Sequence, residues 1–239
     1  MSRYEFKYLA PLSQLSILED MFSPWLDPDP HGDADTGRYT VHSIYFDTPD
    51  LRFYREKVEG IMNRFKLRMR GYENGVPGSN VFFEIKRKNN MVISKTRHAA
   101  PVSDVENIIG ENAQRDGNTD TALSAFLYHM DALSLSPSAL IRYDRTAFVD
   151  PSGGSVRVTF DTSLRTKARP TITELYSTDD IRDVMEDQLI LEVKFENDMP
   201  QWLEDVMDRL ALQRTSVSKY ANCIECLGLH AGVGGNGIH

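Results

Sequence analysis

The sequence predicts an α+β protein that is mainly β: an eight-stranded antiparallel β-barrel flanked by short helices. Three observations lead there. Short segments repeatedly alternate apolar and polar side chains at period two, the mark of half-buried strands. Stretches with helical spacing are few and short. The polar strand faces carry an excess of Lys and Arg, although the 239-residue chain has a net charge of −8. Apolar faces turned inward would leave cations covering the outside of an acidic protein. Apolar faces turned outward under helices leave the charged faces lining a lumen, which in an eight-stranded barrel has room for one small ligand.

The elements follow in order. Residues 3–9 alternate strictly, with Arg3, Glu5 and Lys7 opposite Tyr4, Phe6 and Tyr8. Residues 12–26 carry a helical stripe of Leu12, Leu15, Leu18, Met21 and Phe22, with Ser13 as the expected cap. Residues 27–37 (DPDPHGDADTG) are loop by composition; 38–48 (RYTVHSIYFDT) are β-branched and aromatic and read as a strand that Pro49 ends. A helical turn is expected over 51–57. Residues 63–72 (NRFKLRMRGY) place Arg64, Lys66, Arg68 and Arg70 on one face and Phe65, Leu67 and Met69 on the other. Taken alone, the strand reads first as a plain solvated face. Like charges so aligned are poorly tolerated unless an anion sits among them, and it is their repetition on later strands that points to a site.

A turn over 73–80 leads to a strand at 81–88 with Glu84, Lys86 and Lys88 on one face, and Asn89-Asn90 reads as a tight turn. Residues 91–97 return with Lys95 and Arg97 together. The period then changes: two helices are expected within 102–134, separated by the polar stretch 111–120. Strands resume at 138–149, which aligns Tyr143 with Arg145, and at 156–162, which aligns Arg157, Thr159 and Asp161. The last clear strand, 189–196, carries Glu192, Lys194 and Glu196. Pro200 starts a helix, a final one runs from 218 to 227, and the Gly-rich end reads as a tail. The expected organisation is one domain over 1–228 and a flexible tail over 229–239.

Composition narrows the function classes. The acidic balance argues against nucleic-acid partners, and no stretch is long and apolar enough to span a bilayer, so a soluble cytoplasmic protein is expected. The two cysteines, Cys223 and Cys226, form one CxxC, read as reduced thiols on the closing helix. His42 and His129 have no ligand-spaced partner and read as ordinary; residues 47–50 read as turn chemistry. Nothing in the pattern sets an oligomeric state. A lumen lined by Lys7, Arg64, Lys66, Arg68, Arg70, Lys86, Lys95, Arg145 and Arg157 calls for a polyanion, and the Arg fork suits phosphate. Glu5, Glu84, Glu192 and Glu196 are hard oxygen donors suited to Mg²⁺ or Mn²⁺ bridging phosphates. For Glu192 the rival reading is a plain ion pair with Lys194; Lys219 has the rival reading of a solvated helix residue, and Tyr143 that of a rim residue.

In order along the chain, RYEFKY, SIYFDTPDL, KLRMRGY, FFEIKRK, SKTR, RYDRTAF, RVTFDT, LEVKF and SKY resemble the polyphosphate polymerase domain. This is the vacuolar transporter chaperone type of triphosphate tunnel metalloenzyme, and the resemblance spans about residues 3–225. It implies an eight-stranded tunnel, a divalent metal (Mn²⁺ or Mg²⁺), and ATP, another triphosphate or inorganic polyphosphate as substrate. By that likeness Arg68, Lys86, Arg145 and Arg157 act on the reacting phosphates. Lys7, Lys66, Arg70, Lys95, Tyr143, Ser218 and Lys219 hold the phosphate chain, and Glu192 with Glu5 holds the metal. Two departures stand out. Arg3 replaces the first Glu of the superfamily's Glu-x-Glu-x-Lys start, which favours the polymerase branch over a two-metal triphosphatase. Ser216 stands where the family tends to have a further basic residue. The resemblance implies an isolated, prokaryotic catalytic domain that makes polyphosphate from ATP, with a tripolyphosphatase or nucleoside triphosphatase, or a non-catalytic polyphosphate sensor, as alternatives.

Overall fold

A computed structural model describes residues 3–33, 35–72, 79–89, 92–110, 120–153 and 156–232. In chain order the elements are β1 (Arg3–Pro11), α1 (Leu15–Phe22), β2 (Asp27–Pro28), β3 (Arg38–Asp47), α2 (Arg52–Val58), β4 (Asn63–Tyr72), β5 (Asn80–Asn89) and β6 (Val92–Pro101). There follow α3 (Val105–Ile109), α4 (Thr121–Ala132), β7 (Ser136–Val149), β8 (Arg157–Ala168), β9 (Arg182–Met185), β10 (Gln188–Glu196), α5 (Gln201–Leu210) and α6 (Lys219–Cys226). The main hydrogen-bonded order is β1-β10-β8-β7-β3-β4-β5-β6. Among the described residues this path has two ends, so the expected closed barrel is corrected to an open, mainly antiparallel sheet with short helices. Alternation fixes the face a residue takes; it does not say which strand lies next to which.

The chain divides into two compact units, one of Met1–Thr40, Tyr143–Leu164 and Asp183–Ser218, the other of Val41–Arg142, Arg165–Arg182 and Lys219–His239. In the first unit β10 lies between β1 and β8, and the alternation predicted for each strand holds. Tyr8, Ala10, Val158, Phe160, Leu191, Val193 and Phe195 pack under Leu18 and Phe22 of α1 and Leu203, Val206 and Met207 of α5. Burying such a side chain stabilises the fold by about 1.5–3 kcal/mol, which is why the apolar face turns to the helices. In the second unit β4 lies between β3 and β5, and β5 pairs with β6. Ile44, Phe46, Leu67, Met69, Val81, Phe83 and Ile85 pack against Phe53 of α2 and Leu123, Phe126 and Leu127 of α4. In both units the charged strand faces point away from these cores.

Several local expectations change. Ser13 does not cap a helix: residues Leu12–Gln14 form a 3₁₀ turn, and α1 starts at Leu15 behind Gln14 with no side-chain cap. The helix stops at Phe22, whose carbonyl accepts from the Trp25 and Leu26 amides in a closing turn. β6 runs on to Pro101 and β8 to Ala168, both beyond the expected ends. A 3₁₀ helix at Ile172–Tyr176 and the short β9 are additions. Pro-containing, polar residues there hide any period. The start of α2 bears out the turn reading of residues 47–50: Asp47 accepts from the Phe53 amide at 2.9 Å and the Tyr54 amide at 3.1 Å. Of the expected turns over 73–80 and at Asn89-Asn90, the polar stretch 111–120 and the tail 229–239, residues 73–78, 90, 111–119 and 233–239 lie outside the described residues, and Leu229–Gly232 form a 3₁₀ turn.

Candidate phosphate-binding faces

In the second unit, strand register sorts the cations of β4, β5 and β6 into rows. Lys66 stands opposite Lys86, and Lys86 opposite Lys95. The next row is Arg68, Glu84 and Arg97. The second row is balanced by its own carboxylate: Glu84 accepts from Arg68 Nε at 2.7 Å and Arg97 Nε at 2.9 Å, and Lys95 Nζ reaches it at 2.5 Å. Burial alone would raise the Glu84 carboxyl, but Arg68, Arg70 and Lys95 outweigh it and hold it well below the usual carboxylate range. Glu84 is therefore saturated by side chains, which disfavours the expectation that it holds a metal. The first row is three lysines on adjacent strands, of which Lys95 also pairs with Glu84. Facing like charges destabilise a sheet.

A layer of tyrosines lies against the guanidinium groups. Arg68 Nη1 donates to Tyr45 Oη at 2.9 Å, and Arg97 Nη2 donates to Tyr72 Oη at 3.0 Å. Burial would raise the Tyr45 phenol, yet Arg68, Arg70 and Lys219 together bring it below its ordinary value. The Tyr45 ring stacks on Tyr220 at 5.0 Å, and Tyr220 Oη donates to Asp47 at 2.6 Å. Lys66 Nζ sits 5.1 Å from the centre of the same Tyr220 ring. Arg70 is buried and donates to Ser43 Oγ at 3.2 Å. Lys219 opens α6 immediately before Tyr220, so this helix brings a cation to the Tyr45 side. Arg64 does not join the group: it turns back to the Ile61 carbonyl.

In the first unit β1, β10 and β8 set Lys7 opposite Glu192 and Glu192 opposite Thr159; the neighbouring row is Glu5, Lys194 and Arg157. Lys7 Nζ lies 3.3 Å from Glu5 Oε1 and 3.4 Å from Glu192 Oε2. Lys194 Nζ contacts Glu192 Oε1 and lies 4.0 Å from Glu5 Oε2. Arg145 donates to both oxygens of Asp161, at 2.6 and 2.8 Å. Burial opposes its charge, but Asp161 more than offsets that and raises the guanidinium well above its ordinary value. Arg157 donates to the buried carboxylate of Asp29 and to Tyr39 Oη at 3.1 Å. Tyr143 is buried rather than at a rim, with the Arg145 guanidinium 5.3 Å from its ring centre. Ser218 is buried at the end of this unit.

A family model of the VTC domain matches residues 2–228. The chain belongs to the VTC domain family. No curated protein sequence matches it. Among solved structures, a "putative adenylate cyclase" from Bacillus halodurans superimposes with a TM-score of 0.52 at 11% identity, covering 91% of this chain and 96% of that one. That likeness supports the fold and nothing finer. A protein from Pyrococcus horikoshii OT3 gives a TM-score of 0.47 at 12% identity over 95% and 98% of the two chains. The Mimivirus capping enzyme triphosphatase gives 0.34 at 8% identity over 86% of each.

The divalent metal that the sequence resemblance implies can be tested against the donors of this VTC domain. Among the described residues no group of three or more His, Cys, Asp or Glu side chains is placed to hold a metal. Glu5 and Glu192 nevertheless supply hard oxygens that share the same two ammonium neighbours. Mg²⁺ is commonly held by one or two carboxylates with water and phosphate completing the shell, so this pair fits. The sequence reading missed Tyr39, Tyr45, Tyr72 and Asp29 as partners of the arginines. Tyr39 and Tyr45 share a period-two face of β3 with Ser43, a usable signal; Asp29 sits in a loop whose composition gave none. Cys223 is buried, with burial pushing its thiol up to about 12, and Cys226 is exposed; both are free thiols.

Proposed function

We propose that this VTC domain carries out metal-dependent phosphoryl transfer on a triphosphate or polyphosphate, and that its reaction is polyphosphate synthesis from ATP. Family membership supports the chemical class. The observation that carries the reading is the crowding of Lys66, Lys86 and Lys95, in register on adjacent strands, beside Arg68 and Arg97, with Glu84 as the carboxylate among these five cations. A ligand with closely spaced negative charges relieves their repulsion.

In this reading Arg68, Lys86, Arg145 and Arg157 are the side chains that offset charge on reacting phosphates. Lys7, Lys66, Arg70, Lys95, Tyr143, Ser218 and Lys219 hold and orient the rest of the chain. The arginines are held in place beforehand: Asp161 fixes Arg145, Glu84 and Tyr45 fix Arg68, and Asp29 with Tyr39 fixes Arg157. Such preorganisation is where the rate gain of phosphoryl transfer comes from. Glu192 and Glu5 would hold Mn²⁺ or Mg²⁺, which would supply positive charge to offset that of the phosphates. Residues 1–228 act as one functional domain in this proposal.

The test is product analysis with γ-labelled ATP and Mn²⁺. Long-chain labelled polyphosphate is the expected product. Labelled free phosphate alone would replace the polymerase by a triphosphatase that uses water as acceptor. No turnover, with polyphosphate binding retained, would leave a sensor.

A further inference from the structure

Glu5, Glu192, Lys7 and Lys194 form a closed square on β1 and β10. Lys7 Nζ faces Glu5 Oε1 at 3.3 Å and Glu192 Oε2 at 3.4 Å. Lys194 Nζ faces the remaining oxygen of each, Glu192 Oε1 in close contact and Glu5 Oε2 at 4.0 Å. Every carboxylate oxygen of the pair thus looks at an ammonium, and each ammonium bridges both carboxylates. The register explains how: Lys7 is paired directly with Glu192, and Glu5 with Lys194, so charges alternate both across and along the two strands. The carboxylates are the buried side of this arrangement, at 11% and 7% side-chain exposure against 23% and 21% for the lysines.

Two ammonium groups carry the charge of one divalent cation, and they stand between the same oxygens that such a cation would use. We propose that Lys7 and Lys194 are built-in competitors of the metal: one divalent ion enters the Glu5–Glu192 pair by displacing both ammoniums, which then become available to phosphate. The exchange keeps the carboxylate pair compensated, so the low-dielectric side of the square never holds two bare carboxylates, and the two positive charges it frees are left for phosphate to balance. It makes metal and phosphate mutually supportive, because the metal frees the two lysines and phosphate removes the metal's competitors; linkage requires the coupling to be equal in both directions. This rests on the proposed metal role of Glu5 and Glu192, but not on the reaction catalysed.

The test uses the full chain and Mn²⁺ alone, with no phosphate compound present, read by the electron paramagnetic resonance signal of free Mn²⁺. Lys7→Met and Lys194→Met each remove a competitor and should bind Mn²⁺ about tenfold or more tightly than wild type. Lys167→Met, which removes a lysine paired with Glu174, changes the net charge equally and should alter affinity by no more than about twofold. Glu192→Gln should lose most of the binding. Thermal melting checks that each variant is folded. In the wild-type chain, which carries no folding risk, saturating Mg²⁺ should tighten binding of inorganic phosphate, and Glu192→Gln should abolish that gain. Unchanged or weaker Mn²⁺ binding in both folded lysine variants overturns the exchange. So does phosphate affinity indifferent to Mg²⁺ in wild type. If labelled ATP gives no product while these results hold, the exchange stands and the polymerase reading falls.

Discussion

Glu84 shows why the basic face of β4–β6 is stable at all. Its side chain is 1% exposed and takes three cations, so removing its charge leaves Arg68, Lys95 and Arg97 crowded. Glu84→Gln should destabilise the fold by about 3 kcal/mol at neutral pH, the scale for breaking a buried ion pair. The carboxyl is held below its ordinary 4.5, so on acidification the unfolded chain takes up the proton first. Its contribution is complete above about pH 4.5 and declines as pH falls toward the lower folded value. The gap between wild type and Glu84→Gln in urea midpoint should therefore narrow between pH 7 and pH 3; a constant gap would show that the surrounding cations do not favour the charged form of Glu84 in the fold. Arg68→Ala leaves Glu84 two cations and should keep the fold while lowering phosphoryl transfer roughly a hundredfold or more, the scale of losing a charge-assisted contact to reacting phosphates. Arg87 is its control. It points the other way, to Thr96 Oγ1 and His129, and should tolerate Ala in the activity assay. At this scale the cations were readable, because alternation alone places them on one face. Their partners were less so: Arg97 with Tyr72, or Arg157 with Asp29, depends on neighbours distant in sequence.

Among the elements, β4 is the strand most clearly written in the sequence, yet what limits it is a contact the sequence hides. Gly71 lies near its end, and a Cβ there would come within 2.1 Å of Tyr176 Oη and 2.7 Å of its Cζ. Tyr176 belongs to the 3₁₀ helix Ile172–Tyr176 and packs on His42 with ring centres 5.0 Å apart. Gly71→Ala must push that ring aside and should cost about 1–3 kcal/mol, the usual range for overpacking. In the double variant Gly71→Ala/Tyr176→Ala the obstacle is gone, so the combined loss should be smaller than the sum of the single losses in chemical denaturation. Strict additivity would mean that the ring does not cross β4 there. The hairpin strands β4 and β5 were legible because each buries one full face. The 3₁₀ helix and β9 were not, since they are short, bury few apolar side chains and owe their shape to what they pack against.

For the molecule as a whole, apolar strand faces buried under helices and cationic faces turned away from them were foreseeable from composition and period, whereas the division into two cores and the open path of the sheet were not. Pairing of the two end strands depends on register and accumulated twist, which alternation does not encode. The surplus of like charge on the strand faces has a consequence that needs no catalytic assay. In the second unit alone, Lys66, Lys86 and Lys95 span three adjacent strands, about 10 Å at the usual strand spacing. Tripolyphosphate can meet several of these ammoniums at once; sulfate, with one tetrahedral centre, cannot. At about a hundred times its dissociation constant, a ligand bound only to the native state adds about 2.7 kcal/mol. For a chain of this size that is a rise in Tm of about 5 to 10 °C. The rise should shrink with added salt as exposed charges are screened, and the half-buried contacts should keep part of it. Duplex DNA should give no rise, because a chain of net charge −8 repels it. Scanning calorimetry with tripolyphosphate and sulfate at equal ionic strength decides the matter: equal stabilisation by both would reduce the lysine row to a generic anion patch, and the phosphate-chain reading would lose its main support.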